Sequence, residues 1–126
     1  MAALLIITAV LEAATALLLL TVPALVVTAL FGWGQPPPEA LVVARVAGAA
    51  VLSIAVASWT SRRAAGSAGV VTALLTYNAV VAAVFAYAGA LLRMTGWLLW
   101  PAVLGHCALG AWCIACARGA ETGERR

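Results

Sequence analysis

Four long apolar runs organise the chain, each separated from the next by a few polar or helix-breaking residues. They cover residues 2–22, 39–59, 68–92 and 97–117. Within each, apolar residues are continuous rather than alternating, and alanine and leucine dominate, which favours helices over the alternating strands of a barrel. Each run supplies the ~20 residues that a helix needs to cross a bilayer. Between them, Gly32, Gly34 and the prolines at 36–38 cannot continue a helix. Ser61, Arg62, Arg63, Gly66 and Ser67 make a polar turn, and 93–96 is a tight connection. The pattern predicts an all-α, polytopic membrane four-helix bundle, one transmembrane domain over 1–126, with a frayed, solvated tail over 118–126.

The first run has an excess. Residues 2–31 would make a helix of ~45 Å, against a hydrocarbon core of ~30 Å. Pro23 stands where the excess begins. The span is therefore read as 2–22, followed by a short interfacial helix over 23–31 opened by proline; the alternative is one long, kinked and tilted helix. The run is read as a span and not as a cleaved leader, because no basic residue precedes it and Glu12 interrupts it. No internal repeat is evident.

Composition sharpens the class. The chain is 66% hydrophobic and 9% charged, against about 25% charged residues in a soluble domain. A water-facing surface cannot be built from so few charges, and disorder requires low hydrophobicity. The lipid bilayer is the expected partner, and nucleic acid is not one. Arginine sets the orientation. With four spans, Arg62, Arg63, Arg118, Arg125 and Arg126 share one side with both termini, and the other side holds only Arg93. The positive-inside rule then places both termini in the cytoplasm of a bacterial inner membrane. Trp33, Trp97 and Trp100 fall near the outer interface, and Trp59 and Trp112 near the inner one.

Polar groups inside the apolar runs are the candidate chemistry, since an ionisable residue in hydrocarbon costs about 2.5–3.5 kcal/mol on insertion scales and usually faces the bundle interior. Each span supplies one: Glu12, Arg45, Asn78 and His106. Counted from the outer ends at ~1.5 Å per residue, Glu12, Arg45 and His106 lie roughly 15, 9 and 14 Å deep, and Asn78 about 21 Å. The stripes Thr8–Glu12–Thr15, Arg45–Ala49–Ser53 and His106–Gly110–Cys113 mix polar with small residues, so each is expected to face the bundle axis. Glu12 and Arg45, on consecutive antiparallel spans, are expected to pair, because an arginine fork suits a carboxylate.

Cys107, Cys113 and Cys116 all fall in the last run. The C-x-x-C of the latter two supplies half of a metal site at most, so no metal site is expected within one chain, and a disulfide is not expected on the reducing side. Pairs such as Ala44/Gly48 and Ala111/Ala115 permit helix contacts, within the chain, in a homo-oligomer or in a larger membrane complex.

The order "LEAATALLLLTVPALVVTALFGWG", a proline-rich loop, then "ALVVARVAGAAVLSIAVASW" resembles the small four-helix bacterial membrane proteins of the DoxX-like kind. The shared plan is a first helix, a proline-led segment ending in glycine, and a second helix with Arg45 followed by Gly48. The resemblance covers about the first half of the chain and matches no catalytic motif. Such families include subunits linked to quinone-dependent oxidoreductases and many members of unknown role, and the resemblance assigns no residue. The chain is also similar in length, helix number and the position of Glu12 to the small multidrug exporters. Arg45 beside that glutamate, the few aromatics within helices and the strong arginine bias argue against that likeness.

Three functions follow. One is an intramembrane polar pocket for a small lipophilic or quinone-like ligand, in a membrane subunit or an enzyme. In an enzyme Glu12 or His106 would be the acid–base group, and Arg45 and Asn78 would bind the ligand and stabilise negative charge on a carbonyl oxygen. The second is a transporter or channel with Glu12 and Arg45 in the pathway. The third is a structural accessory subunit.

Overall fold

The computed structural model describes residues 1–64 and 67–124; Gly66, Arg125 and Arg126 of the sequence argument lie outside them. The described residues form five helices and no strand: α1 (Ala2–Thr21), α2 (Pro23–Phe31), α3 (Pro38–Ser61), α4 (Ala68–Ala90) and α5 (Leu99–Glu124). Four are long and apolar enough to cross a membrane: α1, α3, α4 and the Leu99–Gly119 part of α5. The fold is thus a multi-pass membrane four-helix bundle with a short helix after the first span. Only 33% of the first span and 22% of each other span is buried inside the protein. The rest carries exposed side chains such as Val10, Leu17, Val42, Val43, Val84 and Leu104, an apolar belt that requires lipid.

The break after α1 has a local cause. A residue before proline is pushed out of the helical region, and Val22 sits at φ −129°, ψ 53°. Its N–H closes α1 on Leu18 O at 2.9 Å, and Pro23 opens α2. Gly32, at φ +77°, ends α2 in the left-handed conformation that glycine adopts without steric cost. Pro38 begins α3, with Glu39 in its first turn, where the helix dipole favours a negative charge. At the far end the Arg62 guanidinium stacks 3.8 Å over the Trp59 ring and bonds the Trp59 carbonyl, as suits a cation at a helix C-terminus.

Two differences from the sequence reading stand out at the ends of the last two helices. The connection is longer than expected, since α4 stops at Ala90 and α5 starts at Leu99. Arg93 within it takes a positive φ of 56°. And the segment read as a frayed tail is helical as far as Glu124, the helix continuing past the apolar run.

The helices pack as two pairs, α1 with α3 and α4 with α5, and contacts between the pairs are sparse. Gly48 makes the first pair close: a Cβ there would lie 2.9 Å from Leu19 Cβ and 3.2 Å from Ala16 O, so the backbones meet where a side chain would stand. The pairs join at two places. Near Met1, the side chains of Leu4, Leu5, Val71, Leu74 and Cys113 form one buried core, and Ser67 bonds the Met1 sulfur. At the other end the α4–α5 connection docks on α2. Leu98 N–H bonds Ala29 O at 2.9 Å, and buried Gly96 lies directly on the backbone of Ala29 and Leu30. Met1 and the start of α4 are together at one end, so the four crossings alternate.

Candidate functional site

Along the seam between the two pairs, midway between these joints, polar groups from three helices meet. α1 contributes Glu12, which is 4% exposed. α4 contributes Tyr77 and Asn78, and α5 contributes His106. The Tyr77 hydroxyl donates to Glu12 Oε2 over 3.4 Å. His106 Nδ1 lies 2.8 Å from Asn78 Oδ1, and Asn78 Nδ2 donates to Leu74 O at 2.8 Å. Two aromatic edges hold the imidazole: Tyr77 at 5.7 Å between centroids and Phe85 at 6.0 Å, both near perpendicular. Phe85 in turn packs edge-on against Phe31 of α2, which links the short helix to the site.

Helical geometry explains why these side chains converge. On α1, Leu4, Leu5, Thr8, Glu12 and Ala16 recur at three- and four-residue spacing and are all buried. On α5, Gly110 and Cys113 are buried on the face that carries half-buried His106, as its stripe predicts. Gly110 faces α4, where a Cβ would meet Asn78 Cβ at 3.8 Å. Asn78, which depth counting set a turn deeper than His106, is nonetheless bonded to it.

Two expectations about faces fail. Thr15 is exposed, not buried beside Glu12. More consequentially, the α3 stripe Arg45–Ala49–Ser53 is exposed throughout, and the inner face is Ala44, Gly48, Val51, Ala55 and Ser58. The cause is Gly48. Turning it onto α1 for close approach rotates Arg45 about 100° away from the centre of the packed face. Arg45 therefore stands among exposed Val42, Val43 and Val46 and makes no ion pair with Glu12. Near the start of α3, its long side chain can carry the charge toward the interface.

Glu12 is thus buried without a cationic partner among the described residues, with Tyr77 as its bonded neighbour. Two further buried hydroxyls, Thr8 Oγ1 and Ser58 Oγ, have no hydrogen-bond partner among the described residues. Thr8 is one helical turn from Glu12 on the same face. Sequence reasoning missed Tyr77, although a phenol adjoining Asn78 in the middle of an apolar run is a visible signal.

One of the two Asn78 amide hydrogens goes to Leu74 O, and the side chain is 1% exposed. Two open grooves lie at the α4–α5 connection. One, of 480 Å³, is lined by residues that include Arg93, Gly96 and Trp100. The other, of 700 Å³, runs between α2 and Trp97. Neither is lined by a residue of the polar cluster. All three cysteines are free thiols, and among the described residues no three His, Cys, Asp or Glu side chains converge on a metal position.

Comparisons with known protein families, characterised proteins and solved structures return no significant match.

Proposed function

We propose that the protein is a small bacterial inner-membrane protein whose seam between helix pairs holds a lipophilic molecule with a polar, quinone-like head group. The observation that carries this reading is Glu12, a carboxyl group buried mid-span beside Tyr77, Asn78 and His106 with no cationic partner among the described residues. An ionisable group in hydrocarbon marks a functional site by default, and a partner such as Arg45 would have weakened that inference. The place fits as well: sites in helical bundles form between helices, and this seam is the loosest contact in the fold. The ring edges of Tyr77 and Phe85 beside His106 suit a planar head group. In such a site Glu12 and His106 are the groups able to exchange a proton with the ligand.

The arginine distribution supports cytoplasmic termini, and with that orientation α2, which follows the first span, would lie at the outer interface. Reporter fusions after Gln35 and after Arg126 should report opposite sides of the membrane, and equal sidedness would remove the topology. The DoxX-like plan is proposed on the same order of elements: first helix, proline-led α2 ending at Gly32, then α3 with Arg45 and Gly48.

The ligand reading is tested on purified protein. Organic extracts of wild type, Glu12→Gln and His106→Ala are compared by mass spectrometry, using variants of equal helix content. A lipophile retained by wild type and lost from both variants is the expected result. Identical extracts from all three would sink the reading.

A further inference from the structure

We propose that Asn78 fixes His106 as the Nδ1–H tautomer, so that the cluster offers the Nε2 lone pair and selects a lipophile bearing a hydrogen-bond donor. The ligand half rests on the reading above, whereas the tautomer half stands on geometry alone.

The derivation begins at the backbone. Leu74 O, one turn before Asn78, accepts from Asn78 Nδ2 at 2.8 Å. An amide has one donor end and one acceptor end. Turning this one over would set Oδ1 against the Leu74 carbonyl oxygen, acceptor facing acceptor, so the backbone dictates its orientation independently of the histidine. The end left for His106 is Oδ1, which can only accept. At 2.8 Å from it, Nδ1 must bring the proton. A neutral imidazole carries its proton on one nitrogen and a lone pair on the other, and the bond made by one settles the state of the other. Nε2 is therefore the acceptor.

Nε2 is the nitrogen left for a ligand. No described residue bonds it, and His106 is half-buried rather than enclosed. The neighbouring donors are committed: the Tyr77 proton goes to Glu12, and the Asn78 amide is enclosed. A phenol, quinol or alcohol can donate to Nε2. A quinone or an ether carries only acceptors and gains nothing there, so among quinone-like head groups the site takes the reduced, quinol form. Asn78 is thus a positioning residue, and His106 is the group that meets the ligand.

His106 is the single histidine of the chain, so ¹⁵N-histidine labelling reports one ring without assignment. The full-length protein in lipid nanodiscs is measured at about pH 9, well above the ~6.5 of an ordinary histidine. A protonated signal at Nδ1 and an unprotonated one at Nε2 are expected. Asn78→Leu, which removes the acceptor, should move the proton to Nε2. Para-hexylphenol and its methyl ether then serve as ligand probes. The phenol should shift the Nε2 resonance and bind at least about tenfold more tightly, the worth of one hydrogen bond in an apolar site.

An Nε2–H ring in wild type overturns the role of Asn78, whether or not the leucine variant folds. An Nδ1–H ring with phenol and ether acting alike overturns the selectivity for donors. An Nδ1–H ring that neither probe disturbs leaves the tautomer standing and removes the ligand reading.

Discussion

Tyr77 and Glu12 face each other across the seam, the phenol donating to Oε2 over 3.4 Å. At that length the bond is weak, and hydrogen bonds between membrane helices average about 0.6 kcal/mol. Tyr77→Phe should therefore cost roughly 0.5–1 kcal/mol in detergent unfolding. In a cycle with Glu12→Gln the coupling should not exceed about 1 kcal/mol. A larger value would mean that the pair holds the helix pairs together and is part of the scaffold.

Glu12 and Arg45 should behave independently. One is buried on α1 and the other projects from the exposed face of α3. Residues without contact or shared partners add to within about 0.5 kcal/mol. Unfolding of Glu12→Gln, Arg45→Met and the double variant should show that sum. Recovery of stability in the double variant would demonstrate the ion pair that helix order alone suggests.

The failure of that pair shows where the pattern of residues loses resolution. The spans, the break at Pro23 and the four crossings depend on run length and on proline and glycine chemistry, and these are written locally. The rotation of a helix about its axis is not. In a soluble helix the polar side marks itself. On α3 small residues occur on every face, so Ala44–Gly48–Ala55 and Arg45–Ala49–Ser53 are equally plausible inner stripes. What decides between them is the fit of Gly48 against Ala16 and Leu19 on α1, a property of two helices together. His106 was legible because α5 has a single polar stripe rich in small residues. Tyr77 was overlooked because a tyrosine is tolerated in membranes where a charge is not.

Gly96→Ala should be severely destabilising, by more than about 2 kcal/mol, because its Cβ would collide with backbone atoms of α2 that cannot rotate away. Gly34→Ala is the control. It lies in the neighbouring α2–α3 loop with nothing within 4 Å of an added Cβ, and thermal unfolding should leave it within about 0.5 kcal/mol of wild type. Similar losses in both variants would contradict the docking of the connection on α2.

Removing the two orphaned hydroxyls should not harm the fold. Thr8 and Ser58 are 1% and 0% exposed, and neither hydroxyl is bonded among the described residues. Burying an unsatisfied hydroxyl costs on the order of 1–3 kcal/mol. Thr8→Val and Ser58→Ala should therefore be neutral or stabilising by up to about 1 kcal/mol in unfolding titrations. A loss above about 1 kcal/mol would reveal that each hydroxyl holds a buried water.

The two joints between the helix pairs act like clamps at the ends of a beam. At one end are Leu98 on Ala29 and Gly96 on Leu30, and at the other the Leu4–Leu74 core with Met1 on Ser67. A beam clamped twice has no pivot. Rocking of one bundle half against the other, the motion by which many transporters alternate their access, would have to tear one clamp. A ligand held in the seam as proposed would then have to enter sideways from the bilayer, without the pairs parting.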